Sequence, residues 1–223
     1  MRWRPVVVVV LGGLLIWASA QAGPCAVVAA PCIYEGLPFT VVAIDAETRA
    51  PIAGVHVLAE WVMWGRGGQD GPLMVQDSES GGDGRAQFPK WGPIRGYAAG
   101  LVRGNDPVIS LFKPGYEVAV IENRFPPDRD PDDRVRRFNQ DGETVALVPF
   151  RGTPQSWTHQ LRMAEPQSAQ LGEERLRQFR SPYLNRLRRV HTEYLLLPES
   201  VRQDAVSHRF VESKLRILEG SDR

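Results

Sequence analysis

The sequence predicts a mainly-β protein: an antiparallel two-layer β-sandwich followed by an α-helical C-terminal segment. Three observations carry that expectation. Residues 38–163 read as short apolar or alternating runs between Gly, Pro and Asp punctuation. No two of these runs are separated by a helical pattern long enough for a parallel crossover. From about Gln167 the apolar spacing changes from two to three and four. A chain of 223 residues, 43% apolar and 24% charged, buries a real core and is not wholesale disordered. Lys+Arg 27 against Asp+Glu 26 leaves no surplus of positive charge to displace counterions, so nucleic acid is not an expected partner.

The chain opens on an address. Arg2 and Arg4 precede an apolar run, Val6 to Ala18, which is short for a bilayer span of about 20 residues. Ala20-Gln21-Ala22 supplies small residues for signal cleavage, so residues 1–22 are expected to be a secretory leader and Gly23 the mature start. The expected location is periplasmic or secreted, with no membrane span after cleavage. Without the leader's two Arg, 25 basic residues face 26 acidic ones. The alternative is a retained N-terminal anchor and a membrane-tethered envelope subunit.

Residues 23–37 carry both cysteines, Cys25 and Cys32. In an oxidising compartment they are expected to pair, and so short a loop would constrain the unfolded chain by about 2–3 kcal/mol. A redox pair would want the tighter C-x-x-C spacing.

Strands are expected at 39–46, 54–62, 73–77, 85–90, 107–113, 117–122, 143–149 and 158–163. Along the second, Val55, Val57, Ala59 and Trp61 share one face, while His56, Leu58 and Glu60 share the other. Strands around Val41–Ile44, Val118–Ile121 and Val145–Val148 are apolar on both faces. A two-layer sandwich needs one apolar face per strand, so a further layer is expected over the second. Residues 64–84 (Gly-rich) and 123–142 (rich in Pro and both charges) read as long loops.

The cover comes from the C-terminal third, residues 167–220. Leu176, Phe179, Tyr183, Leu187, Val190 and Tyr194 recur at helical spacing, predicting helices at 168–180 and 182–196, the second capped by Ser181 with Pro182 in its first turn. A third helix, from Glu199 or Ser200, would bury Val201, Ala205, His208, Val211, Leu215 and Leu218. Arg175, Arg177, Arg186, Arg188 and Arg189 read as a solvated face.

Several segments resemble one known group. Thr40–Asp45 followed by Pro51-Ile52-Ala53-Gly54-Val55-His56-Val57 is similar to the opening hairpin of the carboxypeptidase regulatory-like, or transthyretin-like, domain. Asp83-Gly84-Arg85-Ala86-Gln87-Phe88 resembles its later hairpin, and Lys113-Pro114-Gly115-Tyr116-Glu117-Val118 its turn into a closing strand. The resemblance covers about residues 38–122. It implies a prealbumin-like β-sandwich that serves exported proteins as a non-catalytic accessory or adhesion module.

The enzyme of that group, hydroxyisourate hydrolase, ends on Y-R-G-S, and Phe150-Arg151-Gly152-Thr153 looks like a relic of it. The first strand, however, has no imidazole to activate water, and His56-Val57-Leu58 falls on the wrong strand. A degenerate or unrecognised hydrolase is therefore the alternative function. It would require His56, Arg151 and a carboxylate to converge in a cleft. No nucleophile elbow, phosphate loop or dinucleotide fingerprint occurs. The four His (His56, His159, His191, His208) show no standard zinc spacing, so no metal site and no cofactor is expected. Asp77-x-Glu79-x-Gly81-x-Asp83 and Asp128-x-Asp130-x-Asp132 lack a full calcium loop and read as solvated. Trp64 and Trp91, near loop ends, are the candidate ligand-contact aromatics. No catalytic residue is expected. The leading function is a non-catalytic exported envelope module that binds a protein or polysaccharide through loops or helices.

Overall fold

The computed structural model describes residues 32–65, 68–96, 101–102, 106–124, 134–170 and 173–220. Its strands are β1 (Ile33–Gly36), β2 (Phe39–Asp45), β3 (His56–Gly65), β4 (Gly68–Glu79), β5 (Arg85–Phe88), β6 (Trp91–Arg95), β7 (Leu101–Val102), β8 (Val108–Phe112), β9 (Ala119–Glu122), β10 (Val135–Arg136) and β11 (Thr144–Leu147). The helices are α1 (Pro154–Ala164), α2 (Glu173–Gln178), α3 (Arg180–Leu195), α4 (Glu199–Asp204) and α5 (Val206–Glu219), with one 3-10 turn at Gln167–Gln170.

The protein is a β-sandwich with C-terminal helices, as the patterning predicts. One layer is the sheet β4-β3-β8-β9, with β7 also paired to β3; the other holds β11-β2-β5 and β10-β1-β6. Most pairs are antiparallel, but β11 joins β2, and β10 joins β1, in parallel. The alternation of β3 decides the layering. Val55, Val57, Ala59, Trp61 and Met63 face a core shared with Phe39, Val41, Ala43, Ala86, Phe88, Val145 and Leu147. Phe39 stacks on Phe88 with ring centroids 4.5 Å apart and meets Trp61 edge-on.

The second face of β3 and β8 is the one the helices cover. Leu58, Val75, Phe112 and Val118 share a separate apolar cluster with Trp157, Leu161, Leu176, Tyr183, Leu187, Val190, Tyr194, Val211, Leu215 and Leu218. The outer face of β11 is different: Ala146 and Val148 are exposed there. The expected extra layer thus lies over the β4-β3-β8-β9 sheet alone of the two layers.

Several boundaries are corrected. Residues 158–163 are helix, not strand. Thr153 caps α1 by accepting from the Ser156 N–H, Pro154 opens it, and Trp157, Leu161 and Ala164 are its buried stripe. The 64–84 segment is mostly not a loop. Gly68–Glu79 is the long strand β4, and two register shifts against β3 accommodate Gly71 and Pro72. α3 begins at Arg180 after Phe179, with Pro182 inside the first turn where its missing N–H forfeits no bond. The expected third helix is two, α4 and α5, joined through Ala205. The foot of the 123–142 segment is tied down: the Asn123 side chain donates to the carbonyls of Asp106 and Arg137 and accepts from the Asn139 N–H. The expected leader, residues 1–22, lies outside the described residues.

Candidate functional site

The chemistry-bearing side chains converge where the helices meet the sheet. His56 and Glu60 project from β3 on the face opposite the main core, and Ser110 of β8 lies across from Leu58 between them. α3 delivers Arg186 into this layer, one turn after Tyr183 and one before Val190. Arg186 is 0% exposed, Glu60 and His56 2%, and Ser168 1%.

Arg186 makes five hydrogen bonds with its fork. Nε donates to His56 Nδ1 (2.9 Å), Nη1 to Ser110 Oγ (3.1 Å) and the Ala164 carbonyl (3.0 Å), and Nη2 to the carbonyls of His56 (2.9 Å) and Ser110 (2.8 Å). A protonated imidazole has no lone pair to accept the Nε–H, so His56 is neutral. Its proton sits on Nε2, which donates to Asp77 Oδ2 at 3.1 Å. Asp77 also accepts from Asn185 of α3 at 2.8 Å. At the other end, Glu60 accepts from the N–H groups of Gln167 and Ser168 and from the Ser168 hydroxyl, whose oxygen lies 2.6 Å from Tyr183 Oη.

Burial dominates the electrostatics. It drives the His56 imidazole down to about 4, against the pull of Asp77. It pulls Arg186 down to about 9, with Glu60 and Asp77 opposing, so the guanidinium stays charged at neutral pH. Burial pushes Glu60 upward against the donors from Ser168 and Gln167. For Asp77 burial acts upward as well, but the hydrogen bonds from His56 and Asn185 hold it below the ordinary carboxylate range.

A His–Asp pair and a nearby serine invite a hydrolytic reading, and the geometry does not support it. Ser168 bonds Glu60 and Tyr183, not His56. Both imidazole nitrogens are engaged, and His56 is nearly sealed from solvent. Arg151, which the hydrolase alternative needs beside His56, lies on the surface paired with Glu47 at 2.6 Å. Phe150-Arg151-Gly152-Thr153 instead leads into the cap of α1. What the layer does chemically is join four elements: a charged fork on α3 ties that helix to β3, β8 and the end of α1.

Arg186 is also a correction. The sequence placed it on a solvated arginine face, where Arg188 and Arg189 do pair with Glu219 and Glu79. Its position on the Tyr183–Val190–Tyr194 stripe was the signal for burial.

Trp91 is corrected in the same way: it is 6% exposed, meets Trp61 edge-on with centroids 5.1 Å apart, and offers no open face to a ligand. It packs on Gly36, where any Cβ would overlap the indole. Trp64 is half-buried. Cys32 is half-buried against the main core, while Cys25 lies outside the described residues. The first acidic run is dispersed into separate pairings, Asp77 with His56, Glu79 with Arg189 and Asp83 with Arg85. The second, Asp128–Asp132, lies outside the described residues.

Two surface features have open access. A hollow of about 330 Å³ at the helix–sheet junction is lined by Phe150, Trp157, Leu196 and Leu197, with Leu196 75% exposed beside it. A groove of about 530 Å³ runs between α3 and α5, and His191 and Glu212 line it. Here His191 and His208, from different helices, lie ring to ring at 5.6 Å, an association that no sequence spacing displayed. No helix among the described residues is long and apolar enough to cross a membrane.

No protein-family model matches this chain, and no curated protein matches it. Solved structures with some similarity include the group B streptococcus pilus 2b backbone protein (14% identity, 51% of this chain and 41% of that one, TM-score 0.25). Another is the shaft pilin SpaA of Lactobacillus rhamnosus GG (15%, 55% and 50%, 0.24). A third is a dioxygenase domain from Streptomyces sp. SirexAA-E (17%, 57% and 86%, 0.30). The chain spans half or less of the length of these two pilus proteins. At such scores the likenesses carry no weight for activity.

Proposed function

We propose that this chain is a non-catalytic, exported envelope module that binds a protein or polysaccharide partner. The observation behind the reading is the sealed layer around Arg186. The side chains best suited to chemistry, His56, Asp77, Glu60 and Ser168, are occupied with one another and with Arg186, holding helices on a sheet. The scaffold is rigid where it could have been reactive, and recognition then falls to its surface. The short segments from Thr40 to Val118 support a place in the transthyretin-like group.

The hollow beside Phe150 and Trp157 is the contact surface we assign. Phe150 and Trp157 sit with ring centroids 4.7 Å apart, and Leu196, 75% exposed, and Leu197 extend the apolar surface. Exposed large apolar groups around a concave, aromatic-floored site are the ordinary makings of a recognition patch. An apolar rim favours a protein partner over a glycan.

The test compares capture by wild type and Leu196→Asp from an envelope extract and from purified cell-wall polysaccharide. Removing residues 167–223 is unsuitable, because it would expose Leu58, Phe112 and the rest of the second apolar cluster. Retention of one partner by wild type and its loss in Leu196→Asp is the expected result. Equal retention by both removes the hollow from the reading. Export is tested separately by intact mass from the envelope fraction: a species beginning at Gly23 is expected, and one beginning at Met1 overturns the cleaved leader.

A further inference from the structure

We propose that His191, His208 and Glu212 form a binding site for a divalent transition-metal ion, zinc foremost, in the crevice between α3 and α5. The site is independent of the binding function proposed above. His208 and Glu212 are one helical turn apart on α5, so their side chains share a face. The packing of α3 against α5 brings His191 to the same place. One ligand atom from each of the three lies within 4.8 Å of the other two.

The imidazoles are poised without being satisfied. Both Nε2 atoms approach the same carboxylate oxygen, Glu212 Oε1, at 3.9 Å from His191 and 3.6 Å from His208. These separations are too long for hydrogen bonds. Both Nε2 atoms are buried, and neither has a hydrogen-bond partner. The His208 side chain is 10% exposed, so solvent does little to compensate. A buried ring nitrogen with nothing to bind is uncommon and calls for an explanation. Two such nitrogens aimed at one carboxylate oxygen are explained together by a cation among them.

The donor set selects the ion. Two neutral imidazoles and a carboxylate suit zinc and its transition-metal neighbours, whereas calcium and magnesium want oxygen alone. Ligand atoms held 2.0–2.1 Å from a tetrahedral centre stand about 3.3–3.4 Å apart. The two N–O separations, 3.9 and 3.6 Å, therefore need to close by about 0.3–0.6 Å, and the two imidazole nitrogens, within 4.8 Å of one another, by up to about 1.4 Å, which side-chain rotation on α3 and α5 would have to supply. Access comes from the groove. His191 and Glu212 form part of its wall, together with Arg188, Thr192 and Arg216. An ion held by three protein atoms would keep a fourth position facing that groove, open to water or a small anion. Bound there, the ion would fasten α5 to α3.

The experiment uses the full mature chain, stripped with a chelator and dialysed. Zn²⁺ is titrated by calorimetry and Co²⁺ by visible absorption. Expected are one ion per chain, the d–d bands of a four-coordinate cobalt site, and a rise in Tm with Zn²⁺. His191→Gln and Glu212→Gln should each weaken binding at least tenfold. Both residues are part-exposed, so far-UV circular dichroism should show these variants folded; His159→Gln, on exposed α1 surface, should bind like wild type. Binding far below one ion per chain overturns the assignment. So does affinity unchanged in His191→Gln, which would place the ion elsewhere.

Discussion

Replacing Arg186 by methionine retains much of the side chain's reach while removing all five hydrogen bonds it donates. His56 Nδ1, Ser110 Oγ and the carbonyls of His56, Ser110 and Ala164 each lose a donor. Glu60 and Asp77 lose the positive charge that opposes their burial. Each buried acceptor left empty costs about 1–3 kcal/mol, and the Coulomb attraction between Arg186 and the carboxylates of Glu60 and Asp77, neither of which it bonds directly, is lost as well. Methionine offsets part of this by filling apolar space and sparing the desolvation of a guanidinium. With five acceptors left without this donor, the net expectation is a loss of about 4 kcal/mol, a large share of the roughly 5–15 kcal/mol that holds a domain folded. Arg186→Lys keeps the charge but not the planar fork, and should lose about 2 kcal/mol. Urea unfolding followed by circular dichroism and tryptophan fluorescence measures both. In the cycle with Glu60→Gln, the double variant should lose at least about 1 kcal/mol less than the sum of the singles. A loss for Arg186→Met below about 1 kcal/mol would refute the view that this layer ties helices to sheet.

Three further outcomes are expected, two from the packing and one from the sequence. His56 is held neutral, its folded pKa about 4 against 6.5 unfolded; the stability this implies is present above pH 6.5 and lost as pH falls toward 4, by about 3 kcal/mol at most. Glu165, raised to about 7 by burial, works the other way, its contribution being lost as pH rises from 4.5 through 7; urea midpoints of wild type and His56→Gln at pH 4.5, 5.5 and 7 isolate the histidine, whose loss should flatten the acid limb. Gly36→Ala forces a Cβ into the Trp91 indole and should cost about 1–3 kcal/mol by overpacking, read as a fall in Tm with a shift in tryptophan emission. Cys25 and Cys32 should resist alkylation in envelope-isolated protein until reduced, and two freely alkylated thiols would refute their pairing.

The parts of this fold that were legible in the sequence are those decided by local pattern. The alternation of Val55–Trp61 gave both faces of β3, and the 3–4 spacing of Tyr183, Leu187, Val190 and Tyr194 gave the buried stripe of α3. What was hidden depends on residues far apart. Trp91 looked like a loop-end aromatic because its burial rests on the bare backbone of Gly36. β4 was obscured by its glycines, which are tolerated because bulges against β3 absorb them. Strands β1, β6, β7 and β10 are too short or too irregular to show periodicity. Arg186 was misplaced by its residue type, since arginine is seldom fully buried unless paired, and its partners lie on β3 and β8. His191 and His208 meet only because α3 packs on α5.

The polar residues along α3 divide its work by position. Arg186 faces the sheet, and Asn185, beside it, reaches Asp77. Arg189 pairs with Glu79 on the neighbouring strand, and Arg188 turns the other way to Glu219 of α5. His191 follows on that second side, against His208. An apolar stripe alone would hold the helix on the sheet but fix its axial register only loosely, because leucine and valine contacts change little with a small slide. Directed bonds change steeply: a shift of 1 Å along the axis would carry the Arg186 donors, now at 2.8–3.1 Å, out of line with several acceptors together. The same register sets the separation of His191 from His208 and Glu212. A slide of α3 on the sheet, if α5 stayed in place, would therefore also disperse the three candidate ligands. Zinc affinity should accordingly fall in Arg186→Lys even though Arg186 touches none of them. Calorimetry on that variant measures this, and affinity equal to wild type would show that the two ends of α3 are energetically independent.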